Sequence, residues 1–565
     1  MPDNTRDVSQ SPGGPPAGTP SPELGAVLDE EHVGDIEGAF GTIAYGDTGA
    51  RRSSRARLLT LLAIVGPGLI VMVGDNDAGG VATYAQAGQT YGTHLLWTLP
   101  LLIPVLYVNQ EMVLRLGAVS GVGHARLIFE RFGRFWGAFS VIDLFVLNAL
   151  TIVTEFIGVS LAASYLGVPK FPAVVLAGVV IVGAASTGSL RRFERTAIAL
   201  CIGSLVVIPL YVMVHPAAGT MARDFFVPNV PGGPTQLSNV MLLIIAIVGT
   251  TIAPWQLFFQ QSYVIDKRIT TRFVNYERVD LVLGIIIVVI GAGALMGASA
   301  AVFAHTPLFG HFTDAGGVAA GFGKYVSRAA GVLFAIVLFD ASIIGASAVG
   351  LSTAYATADV LGLRHSLHRS WKRAKGFYAI FAGLMAVSAT LVLTPGVPLG
   401  TLTEGVQTLA GVLLPSATVF LLLLCNDKAV LGPWVNSTKT NILTSIIIGV
   451  LVLMSVILTA SVLFPHLSSG DIEAVMLAGL VVGLVVGAYV IAQSRLNRAA
   501  ANLAASAAAA DRLARRTTWR MPQLALLERP IMSTQRKIGM LAMRSYLLFA
   551  FALVIVKIVQ LAIAK

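Results

Sequence analysis

Charge is what this chain has least of. Only 12% of its 565 residues are Asp, Glu, Lys or Arg, against 55% apolar residues, and the mean hydropathy is +0.77. No hydrophilic block could form a separate catalytic domain. No phosphate-binding Walker loop is present, which argues against an ATP-driven pump. The zinc pattern His-Glu-x-x-His is also missing, so an intramembrane metalloprotease finds no support. The two cysteines, Cys201 and Cys425, both fall in apolar stretches. That excludes a disulfide framework and a Cys-based metal site. The amino terminus lacks the basic start and apolar core of a signal peptide.

What is there is a series of apolar segments long enough to cross a bilayer. This composition marks an all-α polytopic membrane protein. Residues 1–50 hold nine of the 29 acids and one of the 39 bases, so the remainder carries an excess of +18. That excess falls in loops, as in a positive-inside membrane protein rather than a nucleic-acid binder. Residues 1–57 read as a disordered acidic tail, rich in Pro, Gly and Ser. Spans are expected at roughly 58–92 (broken), 94–117, 136–166, 171–188, 196–215, 237–264 (broken), 279–304, 325–360, 376–395, 401–424, 440–464 and 472–493. A thirteenth is expected at 544–563. Basic loops at 115–134, 191–195, 267–278 and 364–375 alternate with loops poor in bases, which places the amino terminus on the cytoplasmic side. Residues 494–543 have the amphipathic, basic character of a helix on anionic lipid.

The first span contains Val73-Gly74-Asp75-Asn76-Asp77-Ala78-Gly79-Gly80. Charges and loose backbone are tolerated in hydrocarbon only where protein or water satisfies them. Glycines open a helix and Asp and Asn bind cations, so the stretch reads as a broken transmembrane helix with an ion at the break. The plainer alternative is a loop between two short buried helices.

The sixth span contains Gly249-Thr250-Thr251-Ile252-Ala253-Pro254-Trp255-Gln256, with Gln260 and Gln261 further on. Proline removes a backbone donor and breaks the helix there. Two interrupted segments five spans apart point to an inverted-repeat transporter with its site at the membrane midplane. Asp75, Asn76 and Asp77 should then face Ala253, Gln256 and Gln260 across one cavity. Gly74 and Ala253 would offer backbone carbonyls.

These residues resemble the Nramp family of divalent-metal transporters. The likeness runs from Gly66-Pro67-Gly68 to about Asn436. The family's Asp-Pro-Gly-Asn motif falls on Asp77-Ala78-Gly79-Gly80. Val81-Ala82-Thr83, Gln86-Ala87-Gly88, Tyr91-Gly92, Leu95-Leu96-Trp97, Gln110 and Arg115-Leu116-Gly117 also match. So do Glu155, Gln407, Leu414-Pro415, Asn426-Asp427-Lys428, Gly432 and Asn436. The resemblance implies a LeuT-like 5+5 inverted repeat with broken helices 1 and 6 and extra C-terminal helices, about 12–13 spans in all. Its expected divisions are 1–57 (tail), 58–236 (first repeat), 237–424 (second repeat), 425–493 (peripheral spans) and 494–565 (basic segment and last hydrophobic helix).

The departures from the family carry the substrate argument. The metal-binding asparagine of the motif becomes Gly80, and the Met-Pro-His of span six becomes Ala253-Pro254-Trp255. A later histidine becomes Gln260, and an aspartate one turn before Glu155 becomes Ile152. A thioether is a soft ligand that favours manganese and iron, whereas magnesium is hard and keeps several waters. The pattern is similar to the Nramp-related magnesium transporters. It implies a metal site of Asp77, Gly74, Asp75, Asn76, Gly80, Ala253, Gln256, Gln260 and Gln407, with Glu155 a candidate for a proton or aqueous route. The expected cargo is partly hydrated Mg2+, with Mn2+ accepted and little or no proton coupling. The expected setting is the plasma (inner) membrane of a prokaryote, as a monomer among lipids, with no cofactor, no enzymatic activity and no nucleic-acid partner. The alternatives are a proton-coupled Mn2+/Fe2+ importer and a symporter for a small amine or amino acid, for which Trp255 would supply a cation–π face. His124, His305, His311, His365 and His368 read as surface histidines. Asp143 and Asp340 sit in apolar stretches with no assigned role.

Overall fold

The computed structural model describes residues 29–501 apart from 232–236, 397–398 and 464–468, together with scattered positions between 516 and 549. A hairpin comes first, β1 (Ile36–Gly38) and β2 (Gly41–Ile43). Twenty helices follow: α1 (Ser54–Ile64), α2 (Pro67–Val73), α3 (Ala78–Tyr91), α4 (Thr98–Ser120), α5 (His124–Phe132), α6 (Arg134–Tyr165), α7 (Lys170–Ala185), α8 (Leu190–Gly203), α9 (Val207–Val214) and α10 (Ala218–Phe226). The second half holds α11 (Leu237–Thr251), α12 (Pro254–Asp266), α13 (Val274–Phe303), α14 (Ala315–Tyr325), α15 (Arg328–Leu361), α16 (Lys375–Leu393), α17 (Leu399–Cys425), α18 (Lys428–Leu431), α19 (Thr438–Leu463) and α20 (Ser469–Ala501).

Among the described residues nine helical segments are long and apolar enough to cross a membrane, or ten with the bent pair α1–α2. Spans one to twelve correspond to α1–α3, α4, α6, α7, α8–α9, α11–α12, α13, α15, α16, α17, α19 and α20. The expected span at 544–563 and most of 494–565 lie outside the described residues.

The packing repeats with an offset of five spans. The parts of span one on either side of its break, α2 and α3, lie along α13 of span seven, and α12 of span six lies along α4 of span two. Between them α6 of span three runs against α15 of span eight. Adding five to each member of the pair one–seven, and counting round the ten, gives six–two. The pair three–eight maps onto itself. This is the contact pattern of a 5+5 inverted repeat, and it sets the two broken helices side by side in the core.

Three sequence expectations change. Residues 29–57 are folded rather than disordered, while 1–28 lie outside the described residues. The hairpin pairs Ile36 with Ile43 and Gly38 with Gly41, and its buried Ile36, Ala39 and Ile43 pack with Ala63 and Ile64 of α1. Its approach to α1 is so close that a Cβ on Gly38 would overlap the Ala63 carbonyl. Three apolar residues are too few to show a period, and polar contacts to distant loops finish the docking. Arg268 donates to the Glu31 and Asp35 carbonyls at 2.8 and 3.0 Å, and Arg369 to Asp29 Oδ1 at 2.8 Å.

Second, the basic stretch 191–195 is the first part of α8, with the helix starting at a Ser189 cap rather than at 196. Third, His124 and His365 are buried, not surface residues. His124 Nδ1 pairs with Gln261 Oε1 at 2.9 Å, and His365 Nε2 lies 3.0 Å from Asp359 Oδ1. His305 and His311 are exposed and His368 is half-buried.

Candidate functional site

Span one stops being helical at Gly74 and resumes at Ala78. A helix start needs a partner for its first N–H groups, and Asp77 provides it, with Oδ1 accepting from Gly80 N at 2.7 Å. A second carboxyl lies beside it, because Asp77 and Glu155 of α6 both close on the Cβ position of Gly345. Glu155 Oε2 in turn accepts from Ala78 N at 3.1 Å. Two buried carboxyl groups side by side need a proton or a cation to neutralise their repulsion.

Span six breaks at Ile252-Ala253, where Pro254 opens α12. Ala253 is its N-cap residue and contributes no side-chain hydrogen bond. Gln256 reaches back across the break. Its Nε2 donates to Asp75 Oδ1, and its Oε1 accepts from Gln110 Nε2 at 3.0 Å. The two breaks therefore touch, as expected, through Asp75 and Gln256. Tyr84 and Thr251 join α3 to the end of α11 by a hydroxyl pair at 2.7 Å.

Gly79 and Gly80 let neighbours close in. Gln407 of α17 occupies the place a Cβ on Gly79 would need. A Cβ on Gly80 would lie 2.9 Å from the Asp75 carbonyl oxygen and 3.4 Å from Thr250 Oγ1. Asp75, Asp77, Gly80, Ala253, Gln256 and Gln407 are thus gathered in one buried region, with Gly74 at the end of α2 beside Trp255 and Ala348. Several polar atoms here are buried and unpartnered: Asp75 Oδ2, Gln110 Oε1, Thr250 Oγ1 and Gln407 Nε2. A narrow crevice of about 10 Å3 lined by Ala78, Thr83, Thr154 and Asp314 adjoins the break, with room for about one water.

Two expected ligands point elsewhere. Asn76 is turned onto α13, its Nδ2 donating to Val288 O at 3.3 Å. Gln260 lies one turn deeper on α12, beside Glu277 of α13. The separation of Asn76 from Asp75 and Asp77 is the reason for the first: successive residues at a break face different helices. Among the described residues, no three His, Cys, Asp or Glu side chains form a ready-made metal cage. Any cation here would rely on carbonyls, amides and waters beside the carboxylates.

The sequence reading missed one residue at the break and a set of buried charges beyond it. Thr250 was visible only as part of a small-residue run; Glu194, Lys267 and Glu277, inside the stretches expected to be basic loops, and Asp280, at the start of the expected seventh span, are all buried. Far apart in sequence, Arg115 and Asn436 meet at 2.6 Å, Arg115 Nη2 donating to Asn436 Oδ1.

A family model described as "Nramp: Natural resistance-associated macrophage protein-like" matches residues 68–461. The chain belongs to the Nramp family. Among curated relatives, the divalent metal cation transporter MntH of Deinococcus radiodurans is 29% identical over 338 residues, covering 57% of this chain and 72% of the relative. MntH of Yersinia pestis is 25% identical over 426 residues, covering 71% and 96%. Among solved structures, a mutant of the Eremococcus coleocola manganese transporter aligns with a TM-score of 0.58 at 19% identity, over 78% of this chain and 95% of that one. At that identity it shows the fold alone. Arg115 and Asn436, which meet in the structure, both lie within the stretch that the Nramp model matches.

Proposed function

We propose that this chain carries divalent metal ions across a membrane, with Mg2+ the preferred cargo and Mn2+ accepted, and with little or no proton coupling. Membership of the Nramp family and relatives named as divalent metal cation transporters support the general activity. One observation carries the finer reading. Where span six approaches the carboxylates of span one, the side chain at the N-cap of α12 is the methyl of Ala253, so no soft ligand projects there. The nearby Met72 faces Gly284 of α13. Oxygen donors without a thioether suit a hard cation.

Asp77 is the primary ligand in this proposal, with Asp75, the Gly74 and Ala253 carbonyls, Gly80, Gln256 and Gln407 around it, some of them acting through water. Asn76 and Gln260 take a lesser part, given where their side chains lie. The chain would work as a monomer in a prokaryotic plasma membrane with its amino terminus in the cytoplasm. The buried site and narrow crevice fit a cargo enclosed between two gates, each opening in turn.

A second reading keeps proton coupling, favoured by the neighbouring Asp77 and Glu155 carboxyls, which could hold a proton that metal displaces. Against a route onward stand Ile152, Trp255 and Gln260, none of which titrates. Uptake into proteoliposomes with Mg2+ and Mn2+ side by side, and internal pH recorded in parallel, separates the readings. Mg2+ entry without acidification is expected. Mn2+ entry with acidification and no Mg2+ entry would establish the second reading instead.

A further inference from the structure

Span one is bent a second time. Helices α1 and α2 meet at 53° across Val65–Gly66, ten residues before the metal-site break. A bend strands backbone groups that a continuous helix would satisfy. Gly66, the N-cap of α2, has φ 158° and no side chain to cap with. A distant carboxylate does the capping: Asp280 Oδ2 on α13 accepts from Gly66 N at 3.1 Å, Gly68 N at 2.7 Å and Leu69 N at 3.3 Å. On the other side of the bend, Lys267 Nζ donates to the Val65 carbonyl at 2.9 Å. Lys267 also pairs with Glu194 Oε1 of α8 at 2.6 Å, and both side chains are fully buried. Glu194 Oε2 accepts from Ala39 N of the hairpin at 2.7 Å.

Three buried charged residues from spans five, six and seven therefore converge on one bend of span one. Burying charge is costly, and packing alone can hold an apolar helix in place. α2 has only seven residues, too few to persist by itself as a helix. It is also the element that carries Gly74 and leads into Asp75. Whatever fixes its start fixes one wall of the metal site.

We propose that Asp280, Lys267 and Glu194 are positioning residues for transport. They clamp the Val65–Gly66 bend, hold α2 against α13 while the cargo is enclosed, and release it when the face that carries the hairpin opens. The Glu194 contact to Ala39 couples the amino-terminal hairpin to the same clamp. This rests on the alternating-gate reading above, but its test does not depend on which metal is carried.

The test uses the full chain with Leu69→Cys on α2, purified in detergent without metal, and measures the rate of reaction with a bulky charged maleimide. The unmodified chain, whose two cysteines are buried, serves as background. Replacing the pair together (Glu194→Gln with Lys267→Met) removes both members of the ion pair at once, and Asp280→Asn removes the cap separately. Both are expected to raise the labelling rate about tenfold or more, with Asp280→Glu in between. In proteoliposomes the same variants should raise the KM for metal severalfold when uptake is normalised to folded protein, a change that loss of folded protein alone would not cause. Labelling within twofold of the parent in any of these variants that elutes as a single species would overturn the clamp. Faster labelling in a chain that carries no Mg2+ would leave the clamp standing and count against the cargo assignment alone.

Discussion

Gly345 on α15 is the position at which a single methyl should disturb the site most directly. A Cβ there would fall 2.7 Å from Asp77 Cβ, 2.7 Å from Glu155 Oε2 and 2.9 Å from Glu155 Cδ. Comfortable contact needs about 3.5 Å, so the neighbours must give way by roughly 0.7 Å. The atoms that would have to move are the two carboxylate side chains of the site themselves. Overpacking of this kind costs about 1–3 kcal/mol. If half of that falls on the metal-bound state, the KM for Mg2+ in Gly345→Ala rises about two- to twelvefold, since 1.4 kcal/mol is one decade. Gly383→Ala on α16 is the control, because nothing lies within 4 Å of its Cβ position. Uptake kinetics and thermal unfolding of both variants provide the assay. A Gly345→Ala protein with the parent's KM and melting temperature would refute the close packing of α15 on Asp77 and Glu155.

Other substitutions probe separate parts of the argument. Asp77→Ala should abolish uptake of every divalent ion, leaving a folded protein by gel filtration; retained transport would remove Asp77 from the site. Ala253→Met should move preference toward Mn2+ by about tenfold in competition uptake, and an unchanged Mg2+/Mn2+ ratio would mean that ligand softness does not select the cargo. His365 gives a pH test in the loop between α15 and α16. Burial opposes its charge, but Asp359 at 3.0 Å outweighs this and raises its pKa to about 9. A raised value stabilises fully below the unfolded pKa of about 6.5 and the gain disappears as pH rises through about 9, a difference of at most about 3 kcal/mol. The stability gap between the parent and His365→Gln should therefore be large at pH 6 and nearly absent at pH 10; an equal gap at both would deny the charge on His365.

The fold was legible because its signals are long and repeated. Apolar runs of about 20 residues mark the spans, and Gly74–Gly80 and Pro254 mark the breaks whose five-span offset implies inversion. The meeting of Asp75 with Gln256 was legible for the same reason. Which way each polar residue turns was not. Asn76 lies between two site carboxylates in sequence, but a break has no fixed period, and α13 takes its side chain. Glu194 sits among arginines and looked solvated, yet it is buried because Lys267 and the hairpin arrive from 73 and 155 residues away. The hairpin escaped notice for a related cause: its apolar content is small, and Arg268 and Arg369 supply the rest.

The unpartnered polar atoms bear on how the proposed cargo would be held. Asp75 Oδ2, Gln110 Oε1 and Thr250 Oγ1 can face a cation or a water, but Gln407 Nε2 is a donor and cannot touch a cation. A buried group without a partner costs about 1–3 kcal/mol, so a group of them near one break is a poor way to pack two helices. A bare ion would satisfy the acceptors and leave Gln407 facing positive charge. An ion that keeps part of its water shell presents oxygens to Gln407 and hydrogens to Asp75, meeting both kinds of group at once. Mg2+ dehydrates reluctantly and usually keeps several waters. The mixture of donors and acceptors at this break is thus an argument, independent of the missing thioether, that the proposed cargo keeps part of its water.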